Sequence, residues 1–340
     1  MPVSLRYVIK RIFYLFLVVL GVITIVFIAT RIIPAHPEFL WAGPHATEEQ
    51  LQEARNELRL NDPIWVQYVY FIENMLTFNF GISWSSRHPI SQDILSALPA
   101  TLELAISGFI IGILIGLFLG IRAAVKYGSI IDKFVRSLSI SGSAIPVFWL
   151  ALIFQLILAI KLGILPVGYR IDPNAEILEG FQPITGFYTI DTLIEGKFDL
   201  FLDVLKRLLM PALVVSVYPL CLTARMTRSL ALETLQEDYV RNMRSWGVKD
   251  NVIIRKYVIK AVIPPLIASL GLSFGYALVG SFLVEVIFAW NGLGMYVVHA
   301  LANYDFPAVI ISVMTVAIIY SSINTVVDIL HAYLDPRIRL

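Results

Sequence analysis

Six apolar runs, at 12–33, 100–125, 138–160, 208–223, 263–284 and 308–330, constrain this 340-residue chain more than any other feature. A bilayer core offers no water to satisfy backbone N–H and C=O groups, so a crossing segment must be a helix or part of a closed barrel. About 20 apolar residues span the core as a helix, which is the length of these runs. The run at 208–223 is the shortest and is interrupted by Pro211 and Pro219. Neighbouring helices can re-satisfy the carbonyls that proline frees, so a bent helix is expected there. The composition agrees: 58% hydrophobic, 15% charged and a mean hydropathy of +0.77. Soluble chains run near half apolar and a quarter charged. The expected fold class is an all-α integral membrane protein with six transmembrane helices.

Several other classes are excluded. A single cysteine, Cys221, rules out an internal disulfide or a multi-cysteine metal site; it is expected as a small buried residue of the fourth span. The net charge of +1 argues against nucleic acid as a partner. Arg6, Lys10 and Arg11 precede the first run as in a signal peptide, but the run is too long and no small-residue cleavage site follows. It reads as a retained anchor.

Lys and Arg set the orientation. The N-terminus, 122–136, 225–260 and the C-terminal end from Asp328 onward hold 17 basic and 7 acidic residues; 31–99, 161–207 and 285–307 hold 9 and 17. Both termini are therefore expected in the cytoplasm of a multi-pass cell-membrane protein. The chain divides into a tail and first helix (1–33), an extracytoplasmic cap (34–99) and a five-helix core (100–340). Within the core lie an extracytoplasmic loop at 161–207 and a cytoplasmic loop at 225–262. In the cap, Thr47 followed by Gln50 predicts a capped amphipathic helix.

Three motifs stand out. Gly108, Gly112, Gly116 and Gly120 recur every four residues along the second run, a smooth ridge that lets another helix approach closely. The ridge suits tight packing within one bundle, or sliding against a partner. In the cytoplasmic loop, a short helix at 230–238 carries Glu233 and Glu237. The stretch Glu237-Asp-Tyr-Val-Arg-Asn-Met-Arg-Ser-Trp-Gly247 ends on a helix-stopping glycine. A further helix begins near Asp250, whose side chain is expected to cap it, and carries Arg255, Lys256 and Lys260 towards Pro264-Pro265. Such a projection suits force transmission from a soluble partner, and equally a basic loop that fixes topology or binds anionic lipid.

Tyr239-Val-Arg-x-x-Arg-x-x-Gly247 resembles the cytoplasmic coupling segment of ABC-importer permeases, in their dipeptide/oligopeptide branch. Other stretches agree in order. They are Leu98-Pro-Ala-Thr-Leu-Glu-Leu104, Ser139-Ile-Ser-Gly-Ser-Ala-Ile-Pro-Val-Phe-Trp149, Leu162-Gly-Ile-Leu-Pro-Val-Gly168, Glu285-Val-Ile-Phe-x-Trp-Asn-Gly-Leu-Gly294, Tyr304-Asp-Phe-Pro307 and Leu334-Asp-Pro-Arg337. The chain departs from the family pattern at Pro34-Ala-His-Pro37, at Phe78-Asn-Phe-Gly81, and at Met243 and Trp246, where small and basic residues are usual. Those last two are expected to face an ATPase groove.

The resemblance implies a heterodimer with a second permease, two cytoplasmic ATPases that hold ATP and Mg, and an external binding protein that delivers cargo. Peptides are the implied cargo, with short oligosaccharides as an alternative and nickel chelates a lesser one. It assigns ATPase coupling to Glu237, Asp238, Tyr239, Arg241, Arg244, Gly247 and Asp250. Small polar residues of spans three to five, Ser139, Ser141, Ser143, Ser216, Tyr218 and Ser273, are candidates for the translocation path or for helix contacts.

No cofactor is expected in this chain itself. It holds no phosphate-cradling Gly-x-x-x-x-Gly-Lys-Ser/Thr, no His-Glu-x-x-His and no Gly-x-Ser-x-Gly. Histidines 36, 45, 88, 299 and 331 are scattered. Glu103 is the one carboxylate expected inside a span's entrance, with a structural partner near the outer surface, and Asp328 sits near an inner end. A channel or secondary transporter remains the alternative class; inverted repeats with discontinuous helices, or charged groups at the midplane, would mark it, and the sequence shows neither.

Overall fold

The computed structural model describes residues 5–32, 36–43, 46–83, 85–178 and 180–334. Pro34, Ala35, His45 and the Asp335-Pro336-Arg337 end of the last motif lie outside them. The described residues are helical in every regular element. In order these are α1 (Leu5–Phe27, continued by a π turn at Ile28–Ile32), α2 (Pro37–Ala42), α3 (Glu48–Glu57), α4 (Ile64–Leu76), α5 (Ile90–Val125), α6 (Ile130–Ala144) and α7 (Val147–Phe154, continued as a π turn over Gln155–Lys161). There follow α8 (Pro173–Leu178), α9 (Tyr188–Ile194), α10 (Phe198–Gln236), α11 (Asp238–Ser245), α12 (Asp250–Ile253), α13 (Ile259–Ile287), α14 (Leu293–Ala302) and α15 (Phe306–Leu334).

Among the described residues, four helices are long and apolar enough to cross a membrane: Leu5–Ile32, Ile90–Val125, Asp250–Ile287 and Phe306–Tyr333. The bent pair Ile130–Ala144 and Val147–Lys161 makes a fifth if it counts as one span. The third run is thus not the continuous helix its apolarity suggests; its halves meet at 107°. The cause is local. Pro146 forces the residue before it out of the helical region, and Ile145 is extended at φ −73°, ψ 127°. The fourth run lies inside α10, a 39-residue helix that continues through both Pro211 and Pro219.

α10 is the centre of the bundle and packs most extensively on α5. The glycine ridge is the contact surface: Gly108, Gly112, Gly116 and Gly120 are all buried. A Cβ on Gly112 would lie 2.6 Å from the Ser216 carbonyl oxygen, and one on Gly116 2.7 Å from that of Leu220. A Cβ on Gly108 would meet Val215 at 2.7 Å, and one on Gly120 would meet Thr227 at 2.6 Å. Cys221, on another face of α10, is buried and approaches the Leu138 carbonyl at 3.4 Å.

α1 packs along α15. Arg11 Nη1 lies 2.7 Å from Asp328 Oδ2, which places the start of α1 beside the end of α15. The opposite end of the bundle carries α2–α4, α8, α9 and α14. There Thr47 and Gln50 close the expected reciprocal cap of α3.

The seam gives a direct test. Gly112→Val should separate α5 from α10 and destabilise the protein by about 1–3 kcal/mol, the usual cost of forcing extra volume into a packed interior. Gly21→Val, where a Cβ meets nothing within 4 Å, should leave the melting temperature of the solubilised protein unchanged.

Candidate functional site

The projection between α10 and α13 begins where α10 ends. No glycine or proline occurs between Pro219 and Gln236, so nothing stops α10, and the separate helix expected at 230–238 is instead its last two turns. The chain turns at Glu237, whose backbone is extended at φ −62°, ψ 144°. α11 then crosses the end of the bundle.

Its inner face is apolar. Val240 is fully buried with Ala124, Ala231, Ile253, Val258 and Val262. Burying such a side chain contributes about 1.5–3 kcal/mol. Met243 and Val248 pack against the same cluster. Met243 therefore turns into the protein rather than towards a partner, while Trp246 is 80% exposed.

Gly247 ends the helix in the left-handed region at φ +78°. The Gly247 amide donates to the Arg244 carbonyl at 3.0 Å and the Val248 amide to the Met243 carbonyl at 3.0 Å. This is the paired-bond helix stop that a positive-φ glycine permits. Arg244 Nε donates to Asp250 Oδ1 at 3.0 Å across the turn. Asp250 is the first residue of α12 behind Lys249 as N-cap, so it braces Arg244 instead of capping the helix. α12, a π turn at Ile254–Val258 and α13 run together as one element with the fifth span.

Outward, α11 presents Tyr239, 44% exposed, with Trp246 and the exposed pair Asp238 and Arg241 at 3.6 Å. Exposed pairs of this kind hold weakly, so Arg241 is available to another partner.

The candidate path residues separate into two sets. Ser139, Ser216 and Ser273 are buried between helices, and the Ser139 and Ser273 hydroxyls have no hydrogen-bond partner. They line no open surface in this conformation. Ser141 and Ser143 are exposed on α6. The half-buried Tyr218 ring lies 4.2 Å from that of Tyr276 on α13.

At the opposite end several carboxylates are buried and tied down. Glu103 Oε2 accepts from Arg170 Nη2 at 2.6 Å, and its Oε1 accepts from the amide and hydroxyl of Thr189, both at 2.8 Å. Arg170 is sandwiched, with its guanidinium 3.7 Å from the Tyr188 ring and 5.5 Å from that of Trp290. Glu103 is not the only buried acid. Glu285 is fully buried and accepts from the Gly294 amide at 2.7 Å. Asp305 accepts from Ser83 and from the Ser85 amide and hydroxyl. Asp132, near the projection, is held by Arg228.

Glu285, Asp305 and Asp132, with Arg170 and Arg228, were missed from sequence, whereas Glu103 has the structural partner expected of it. Glu285 had a signal, since Leu283-Val-Glu285-Val-Ile287 puts a carboxylate into an apolar run. Among the described residues, no group of His, Cys, Asp and Glu could hold a metal ion.

Comparison with known proteins accords with this architecture. Residues 112–340 match the family model of the binding-protein-dependent transport system inner membrane component. Residues 4–105 match the model of the N-terminal part of such membrane components. The dipeptide transport system permease protein DppB of Alkalihalophilus pseudofirmus is 36% identical over 98% of this chain and 99% of its own. The di/tripeptide transport system permease protein DppB of Pseudomonas aeruginosa is 35% identical, with the same coverage. The probable D,D-dipeptide transport system permease protein DdpB of Escherichia coli is 37% identical over 97% of this chain and 96% of its own.

The helix stop predicts an ordered substitution series. At Gly247 a Cβ meets nothing within 4 Å, so the cost of Gly247→Ala is backbone strain alone, about 1–2 kcal/mol. Gly247→Asn should cost less, because Asn tolerates the left-handed region. Amide hydrogen exchange across 238–248 should quicken most in the Ala variant, less in the Asn variant and least in the parent.

Proposed function

This chain belongs to the family of binding-protein-dependent transport system inner membrane components and is a permease subunit of an ABC importer, and from that premise we propose that it forms half of a translocation path for short peptides. The similar dipeptide and di/tripeptide transport permeases support peptides over oligosaccharides or metal chelates as cargo.

The chain crosses the membrane six times. To the four long apolar helices and the bent pair, α10 adds the remaining crossing. At about 1.5 Å per residue its 39 residues extend roughly 58 Å, well beyond a hydrocarbon core of about 30 Å. Both termini lie in the cytoplasm with the α11 projection. The basic excess of those segments supports this, as does the pairing of Arg11 with Asp328 at one end of the bundle. The first helix, the cap at 34–99 and the five-crossing core at 100–340 are its three parts. The assembly contains a second related permease, two ATPases and an external binding protein.

The observation that carries the coupling reading is the build of α11, an exposed polar helix on a fully buried base at Val240. A loop that only fixed topology would not need such a base. When the ATPases bind ATP and close, they draw α11 with them. Val240 transmits that displacement to the ends of α5, α10 and α13, and the helices around the path tilt. Work is done only if the two states bind the partners with different free energies. Tyr239, Arg241 and Trp246 make the contact, with Glu237 and Asp238 at its start. Arg244, Gly247 and Asp250 hold the geometry.

One observation favours a second reading, a transporter driven by an ion gradient: the helix broken at Pro146, a feature of that class. Reconstitution separates the two. Uptake of dialanine into proteoliposomes that hold both permeases and both ATPases should require ATP and the binding protein. Uptake driven by a proton or sodium gradient without ATP would overturn the proposal. In the same assay Trp246→Ala or Arg241→Glu should lower ATP-driven uptake about tenfold, equivalent to about 1.4 kcal/mol of lost contact, with membrane levels of the protein unchanged.

A further inference from the structure

At the end of the bundle opposite α11, a cavity of about 570 Å³ opens between the start of α5, the loop at 183–188 and α14. Its volume falls within the range of about 300–1,000 Å³ typical of small-molecule sites. Its wall includes one carboxylic acid and one guanidinium, Asp93 and Arg170. Arg170 is already neutralised by Glu103 at 2.6 Å, both side chains being buried. Asp93 is not. Its Oδ2 accepts from the hydroxyls of Ser86 and Tyr296, the latter at 3.0 Å. Its Oδ1 lies 3.6 Å from Nδ1 of the exposed His88, beyond hydrogen-bond range.

Among the described residues no Lys or Arg pairs with Asp93. Its side chain is 14% exposed. The cavity therefore holds one carboxylate with no Lys or Arg partner among the described residues, oriented by two hydroxyl donors, with apolar walls from Leu95, Ile184 and Met295. A carboxylate held this way matches a primary ammonium, which carries three donors and a full positive charge.

We propose that this cavity receives the free amino terminus of a short peptide, with Asp93 as the ammonium acceptor. This rests on the reading of peptides as cargo. Every unmodified peptide carries that group whatever its side chains, so anchoring there imposes no preference on sequence. The apolar walls accept varied side chains by contact alone.

The test uses the complete membrane complex of both permeases and both ATPases in nanodiscs, without the binding protein, titrated calorimetrically with dialanine and N-acetyl-dialanine. Dialanine should bind and the acetylated form should not. Asp93→Asn should weaken dialanine binding tenfold or more, and Leu95→Trp, which adds bulk at the cavity wall, should weaken it likewise. Equal binding of the two peptides, unchanged binding by both variants, or no binding of dialanine to the parent would overturn the site. So would a loss of binding-protein docking in Asp93→Asn with dialanine affinity intact, which would make Asp93 a protein contact. ATP-driven dialanine uptake by the parent complex tests the cargo reading separately. Uptake without this binding defeats the site alone, and absence of uptake defeats the cargo reading.

Discussion

α5 and α10 approach so closely that a single methyl group on any of four glycines would collide with the facing helix. Every other feature of the bundle is referred to that contact. In a membrane no hydrophobic force distinguishes helix neighbours from lipid tails, so close backbone approach and dispersion contacts must hold helices together. The ridge supplies them along four successive turns. It makes α5 and α10 one body, with Glu103 near one end and Ala124 and Ala231 near the other. α13 packs against both members of that body, and α6 packs on α10.

The two ends of this body differ in build. At one end, Glu103, Glu285 and Asp305 are held by backbone amides, hydroxyls and a sandwiched arginine. Buried polar groups of this kind are costly unless every partner is present. The loop at 161–207 is thereby fastened onto α5 through Arg170 and Thr189, both bound to Glu103. At the other end, α11 rests on apolar contacts and one exposed arginine–aspartate brace. Apolar contacts are non-directional, so they tolerate small shifts that a saturated hydrogen-bond network does not. A rigid far end with a compliant near end suits a lever moved from α11.

Much of this was legible in the sequence for identifiable reasons. Apolar runs locate the spans because the bilayer dictates their length, and the glycine ridge shows itself because a period of four keeps one helix face. Thr47 and Gln50 announce a helix start because the cap is local. What was not legible depends on distance or continuity. Arg170 finds Glu103 across 67 positions, and no spacing rule reports such a partner. The break at Ile145-Pro146 was readable from the restriction proline places on its predecessor, but the surrounding apolarity masked it. The end of α10 was misplaced because acidic residues suggested a separate helix where no stop signal exists. Met243 looked like a contact residue because its burial depends on how α11 folds back over Ala124.

The central claim is that α5 and α10 move as one body when α11 is displaced. Spin labels at the exposed Val125 on α5 and Ser229 on α10 measure it most directly in the assembled transporter, alongside a second pair joining Trp246 to the neighbouring permease. Between the ATP-free and ATP-trapped states, the Val125–Ser229 distance should stay constant while the Trp246 distance shortens. A change in the Val125–Ser229 distance as large as that at Trp246 would mean that the glycine seam slides, and would contradict the account.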